Sequence, residues 1–151
     1  MTATTLAPRP QDMVDLAEAL RPAVLRLSRR LRQEGQKVGL STLDSMLMGR
    51  IKSAPGLGVC DLADEEQISR PTMSGHVKRL EAAGWIRRME DAEDGRRSGL
   101  ILTPAGQKQL DAIRRRRNDW LAARLARLTP EARTHLAAAA GPLLQLLAVD
   151  P

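Results

Sequence analysis

The chain has 151 residues, enough for one domain with one core. Its 24 basic and 18 acidic residues leave a net charge of +6, which favours polyanionic partners, and 20 of the 24 are Arg, whose guanidinium fork suits phosphate and guanine. Phe and Tyr are absent and only Trp85 and Trp120 are aromatic, which argues against base-stacking platforms for single strands or RNA.

The first residues, MTATTLAPRPQD, lack an apolar signal core and read as a loose tail over 1–11. Val14, Leu16, Ala17, Leu20, Val24, Leu27 and Leu31 then follow helical spacing from about Asp12 to Arg32. Pro22 falls inside that pattern and predicts a kink or an early break. Ser41 opens a second helix through about Ser53, with Asp44 placed as a variant capping box. Ala54 to Gly58 is a loop, and Val59 to about Glu66 is a short helix.

The next stretch is the most informative. Ser69 can cap a helix, and Pro71 is tolerated in a first turn, where its missing donor has no intrahelical partner. Met73, Val77 and Leu80 repeat at i, i+4 and i+7 as one apolar stripe. Arg70, Thr72, Ser74, Gly75, His76, Lys78 and Arg79 take the other directions, and Gly84 suits the left-handed position after the helix. A short helix with a small, polar, basic outer face fits the major groove; an ordinary amphipathic surface helix has the same pattern. Trp85, Ile86 and Met89 suit a half-buried strand, and Leu100, Ile101 and Leu102 its partner. Between them lies a polar hairpin tip, Glu90 to Gly99. Its Arg96 and Arg97 can reach phosphates or a narrow minor groove, with Asp94 bracing Arg96. The competing reading is a solvated loop whose charges mostly cancel.

Thr103-Pro104 starts a long helix to about Leu128, with Leu110, Ile113, Trp120, Leu121, Leu125 and Leu128 along it. Thr129-Pro130-Glu131 starts the last helix, which reaches about Ala148 and carries Leu136, Leu143, Leu144, Leu146 and Leu147. The terminal helices hold more apolar surface than a small lobe can cover. A homodimer is the economical solution; a monomer with its helices folded back is the alternative.

Other chemistry finds little support. Arg114 to Arg117 spread over all directions of a helix, so most are expected to be solvated or paired with acids. Cys60, the single cysteine, excludes an internal disulfide, fits a reducing cytoplasm and is expected as a small apolar filler. His76, His135 and Cys60 are a poor metal-ligand set, with His76 expected on the DNA-facing surface. No phosphate loop, nucleophile elbow or supported Cys/His pair is present, so no enzyme and no cofactor are expected. No run of about 18 apolar residues suggests a membrane span.

From about Leu40 to Gly106 the chain resembles the MarR family of winged helix-turn-helix transcription regulators. The matching residues are Leu62-Ala63, Ile68-Ser69, Pro71-Thr72, Arg79-Leu80-Glu81, Gly84, Arg88, Asp94-Gly95-Arg96, Leu102-Thr103 and Gly106. Three places depart from the family pattern. Glu66 and Gln67 stand where a Leu and a Gly are usual in the turn between helices, which predicts a remodelled turn. Gly75 replaces a larger, often basic residue, and Gly95 and Arg97 differ from common wing-tip residues.

The resemblance implies a mainly α fold with a small β-hairpin wing: a winged helix-turn-helix lobe over 41–103, and dimerisation helices over 12–34 and 104–151. It also implies a cytoplasmic, ligand-responsive repressor that binds double-stranded DNA at a palindromic operator as a homodimer. DNA contact would fall to Arg70, Pro71, Thr72, Ser74, Gly75, His76, Lys78 and Arg79, and to Asp94, Arg96 and Arg97 in the wing. A small aromatic or apolar-acid effector would sit between the dimer helices and the lobe. Its pocket candidates are Leu27, Arg30, Leu31, Leu43, Met46, Leu47, Arg50 and Ile113, all equally readable as core or surface residues. A winged-helix protein-interaction module without DNA binding is the other reading, supported by Glu66 and Gly75.

Overall fold

The computed structural model describes residues 9–89 and 99–148. Helix α1 (Pro10–Gln36) begins inside the stretch expected as tail, because the Asp12 carboxylate accepts the Arg9 backbone N–H at 2.9 Å and closes its first turn. It runs unbroken through Pro22, so the expected early break is not found. The Glu18 carbonyl loses its intrahelical donor there, but residues 11–27 are exposed and water can replace it.

Helix α2 (Thr42–Ser53) is capped by the Ser41 hydroxyl, which accepts from the Asp44 N–H. Its buried stripe is Asp44, Leu47, Met48 and Ile51, spaced i, i+3, i+4 and i+7, so an acid occupies the first core position. Asp44 therefore does not act as a capping acid; its carboxylate points inward to other partners.

Helices α3 (Val59–Glu65) and α4 (Arg70–Ala82) form the helix-turn-helix. The turn keeps the left-handed geometry that a Gly would favour, with Gln67 at φ +52°. The Gln67 N–H donates to Asp64 O at 3.3 Å and the Ile68 N–H to Ala63 O at 2.9 Å, closing a Schellman motif. Glu66 stays partly exposed at the helix end. The turn is thus not remodelled; Gln67 carries the strain instead. Helix α4 ends in the same way, with Gly84 at φ +75° and the Trp85 N–H donating to Leu80 O.

Strands β1 (Ile86–Arg88) and β2 (Leu100–Leu102) pair antiparallel, with Ile86 opposite Leu102 and Arg88 opposite Leu100. Met89 lies just beyond β1, where its N–H donates to Gly99 O at 2.7 Å, and Leu57 adds a bridge to Leu100. Helix α5 (Pro104–Leu125) follows at once. Thr103 caps it by accepting from the Gly106 N–H and also donates to Gly84 O at 2.6 Å, tying helix start to wing base. A Cβ at position 106 would collide with the Trp85 carbonyl, so this crossing requires Gly106.

The core joins Leu47, Met48 and Ile51 of α2 to Leu62 and Ala63 of α3, the Met73–Val77–Leu80 stripe of α4, Ile86, Leu100 and Ile113. Trp85 packs half-buried on its edge. Helix α1 packs chiefly along α5. There Glu34 is buried, 2.7 Å from the Lys37 ammonium and within 3.5 Å of the guanidinium groups of Arg30 and Arg116. The guanidinium groups of Arg30 and Arg124 lie over the ring of Trp120 of α5, at 5.9 and 3.8 Å from its centre. Helix α6 (Pro130–Gln145) is capped by Thr129, stops short of the expected Ala148 and buries no residue. Leu144 and Leu147 are 69% and 84% exposed, and the first half of α1 leaves Met13, Val14, Leu16, Leu20 and Val24 open as well.

Candidate nucleic-acid interface

Helix α4 presents its outer face because Met73, Val77 and Leu80 hold the opposite face in the core. Successive residues turn by about 100°, which puts Pro71, Gly75 and Lys78 opposite the stripe. Arg70, Pro71, Thr72, Lys78 and Arg79 are exposed, and a Cβ at Gly75 would meet nothing, so the backbone lies open to a close approach. The Ser69 hydroxyl caps the helix and lies 2.8 Å from the Thr72 hydroxyl, which orients that side chain. Arg70 is 3.9 Å from Asp64 with both side chains more than half exposed, a loose pair that leaves the guanidinium available.

Ser74 and His76 are only partly exposed, and His76 lies at the edge of the open face rather than at its centre. It follows Met73 by three positions and precedes Leu80 by four, which sets it on the margin of the buried stripe. Its Nδ1 is 2.7 Å from Oδ1 of Asp44, with side chains 16% and 12% exposed. Nη2 of Arg79 is 2.8 Å from the same nitrogen and 3.6 Å from the same carboxylate oxygen. A buried carboxylate needs such partners, since desolvating it alone is costly. The sequence did carry a signal for this: an acid in register with Leu47, Met48 and Ile51 demands a donor from a neighbouring element.

The wing residues Asp94, Arg96 and Arg97, with Gly95, lie outside the described residues. The base of that hairpin is in place, and Arg88 donates to Glu81 at 3.1 Å.

The expected effector residues do not converge on one site. Leu47 is fully buried and Leu43 packs against the core. Arg50 donates twice to Glu65, at 2.7 and 2.8 Å, joining α2 to α3; that hydrogen-bonded pairing holds the Glu65 carboxyl below the ordinary carboxylate range. Arg30 is taken up by Glu34 and Trp120. Leu27 and Leu31 line an apolar groove of about 820 Å³ between α1 and α6. Only Met46 and Ile113 border a cavity of about 430 Å³ between α1, α2 and α5. Leu110, Arg32, Arg114, Arg117, Thr42, Ser45 and Asn118 also line it, which the sequence reading missed. Three arginines and the apolar Met46, Leu110 and Ile113 in one lining suit a small organic anion.

Other expectations meet mixed outcomes. Arg114 pairs with Asp111 and Arg116 with Glu34, as expected of solvated or paired arginines, while Arg117 donates to the Leu31 carbonyl. Cys60 is exposed, not a core filler, because α3 buries Leu62 and Ala63, two and three positions further on. Among the described residues no cluster of three or more His, Cys, Asp or Glu could hold a metal, and no helix is long and apolar enough to cross a membrane.

The model of the MarR family matches residues 44–98. A helix-turn-helix-type transcriptional regulator of Mycobacterium bovis is 34% identical over 138 residues, 90% of this chain and 95% of its own. The chain belongs to the MarR family. A crystal structure from Pseudomonas aeruginosa, of a protein assigned as a transcriptional regulator, is 32% identical, superposes with a TM-score of 0.73 and aligns over 95% of this chain and 100% of its own. A MepR variant of Staphylococcus aureus, solved bound to an oligodeoxyribonucleotide, shares the fold at a TM-score of 0.68 and 22% identity, covering 87% of this chain and 97% of its own.

Proposed function

We propose that this MarR-family transcription regulator binds double-stranded DNA sequence-specifically as a homodimer on a palindromic operator, and acts as a repressor released by a small organic acid. The observation that carries the reading is α4: a capped helix locked into the core by Met73, Val77 and Leu80, with Arg70, Thr72, Gly75, Lys78 and Arg79 on its free side. Two such helices in a dimer would enter successive major grooves about one helical turn apart, roughly 34–36 Å. The exposed leucines of α6 and the first half of α1 support a dimer, because an apolar surface of that extent is uncommon on a monomer. Residues 12–34 and 104–151 would then form the dimerisation region around a lobe over 41–103. Arg96 and Arg97 of the wing would complete the reading by reaching the flanking minor groove, with Asp94 expected to brace Arg96.

The arginine-lined cavity is the proposed effector site, taking an aromatic or apolar acid whose carboxylate meets Arg32, Arg114 or Arg117. The acid need only prefer a dimer whose recognition helices are wrongly spaced. Such coupling runs to about 1–3 kcal/mol, and operator DNA must weaken the acid by the same factor.

Salt-titrated binding to duplex DNA tests the reading. Affinity should fall steeply with salt, with a slope reporting several neutralised phosphates, and Arg96→Ala should reduce that slope by about one contact per wing. A chain that binds no duplex at any salt concentration would instead be a winged-helix protein-interaction module.

A further inference from the structure

The shared contact of Asp44, His76 and Arg79 is not part of a helix-turn-helix as such: the acid comes from α2, 32 residues before the histidine. We propose that Asp44 is a specificity-determining positioning residue, which orients His76 and Arg79 for base edges and restrains Arg79 from the nearest phosphate. This rests on the reading of α4 as the helix that meets bases.

The geometry supports it in three ways. The Asp44 residue is 8% exposed, so its carboxylate is fixed by packing and the groups it holds inherit that position. His76 and Arg79 stand one helical turn apart on the flank between the buried stripe and the open face, so one acid reaches both. The ring nitrogen facing Asp44 also faces Arg79. With a proton on Nδ1 the ring donates to the carboxylate at 2.7 Å, and Arg79, facing the same nitrogen, is held by the acid alone. Asp44 is then the anion that the two groups share. The other charged pairs of α4 and its neighbours lie elsewhere: Asp64 of α3 meets Arg70, Arg88 of β1 meets Glu81, and Glu65 of α3 meets Arg50.

The consequence separates affinity from specificity. The Arg79 side chain is 61% exposed and reaches the surface. Without the carboxylate it keeps its charge and gains freedom, which suits sequence-independent phosphate contact. A residue with a merely structural role would lower specific and non-specific binding together.

The test is selection of bound sequences from a randomised duplex library by full-length wild type, Asp44→Asn and His76→Ala, with salt-titrated affinity for random-sequence duplex beside it. Wild type should select a consensus. Asp44→Asn should lose about tenfold or more of the preference at one or two base pairs of each half-site, and His76→Ala should lose it within the same pairs. On random duplex, Asp44→Asn should bind as tightly as wild type or more tightly, with a salt slope steeper by up to about one phosphate per lobe. A wild-type consensus from folded Asp44→Asn overturns the proposal, as does loss at different base pairs in the two variants. If Asp44→Asn does not fold, Asp44→Glu is read by the same criteria, and a wild-type consensus from His76→Ala overturns the proposal by itself. A wild type that selects no sequence removes the base-reading role of α4, and this proposal with it.

Discussion

The winged lobe and the terminal helices both carry apolar residues at helical spacing and end in opposite states. In the lobe Leu47, Met48, Ile51, Leu62, Met73, Val77, Leu80 and Leu100 lose essentially all contact with water. In α6 no residue is buried, and α1 keeps a row of leucines and valines exposed until Leu31. Helical periodicity is the same signal in both places. It states that a face must be covered and leaves open whether the cover lies in the same chain. Stability in the lobe is therefore intramolecular, while the proposed dimer would link stability of the terminal helices to a partner and hence to protein concentration.

That contrast can be broken most forcefully by matched truncations. Leu47→Ala should destabilise the lobe by about 2–5 kcal/mol, read as a denaturation midpoint that does not move with protein concentration. Leu144→Ala with Leu147→Ala should leave lobe unfolding unchanged and shift the monomer–dimer equilibrium measured by sedimentation. An unchanged sedimentation profile would mean that these leucines face no second copy. At the junction of the two regions, Gly106→Ala drives a methyl group against the Trp85 carbonyl. Overpacking of this kind costs roughly 1–3 kcal/mol, and both regions should loosen together in hydrogen exchange.

Within the lobe, Gln67→Gly should stabilise the protein. A side chain at φ +52° carries a cost of about 1–2 kcal/mol that Gly lacks, so the melting temperature should rise, with the helix-turn-helix unchanged by circular dichroism. The smallest effect belongs to the helical region. The Lys37 hydrogen bond, opposed by burial and aided by the charges of Lys37, Arg116 and Arg30, holds the Glu34 carboxyl below the ordinary carboxylate range. Its contribution is therefore present at neutral pH and is lost as pH falls from that range through the lowered folded value. Glu34→Gln should remove this part of the acid dependence, seen as a flatter plot of stability against pH in the acid limb only.

Local chemistry made much of the fold legible. Ser41, Ser69, Thr103 and Thr129 all cap where the sequence placed them, and the Met73–Val77–Leu80 stripe is the buried face of α4. Pro22 does not break α1, on a stretch exposed enough for water to satisfy the freed carbonyl. Gln67 misled because the hydrogen bonds and core contacts of the turn outweigh one strained residue. At the site, the exposed basic residues of α4 were readable from spacing. The register of Asp44 signalled a buried acid in need of a donor, but its partner His76 and the Arg50–Glu65 pair were not readable, since each contact joins separate helices whose approach only packing defines. The arginine lining of the cavity was missed for the same reason: Arg114 and Arg117 look like one basic run, and only the crossing of α1, α2 and α5 brings them into one lining with Met46.

The two tryptophans fall on either side of the same contrast. Trp85 sits at the edge of the lobe core and Trp120 of α5 lies under the guanidinium groups of Arg30 and Arg124, in a chain with no tyrosine or phenylalanine. Each region thus carries its own intrinsic fluorophore against an empty aromatic background. Replacing one tryptophan leaves emission that reports on the other region alone. Operator binding would be followed through Trp85 and loss of the helical interface through Trp120, in solution and without an attached dye. The order in which the two signals change after mixing with an acid would tell whether the helices or the lobes move first.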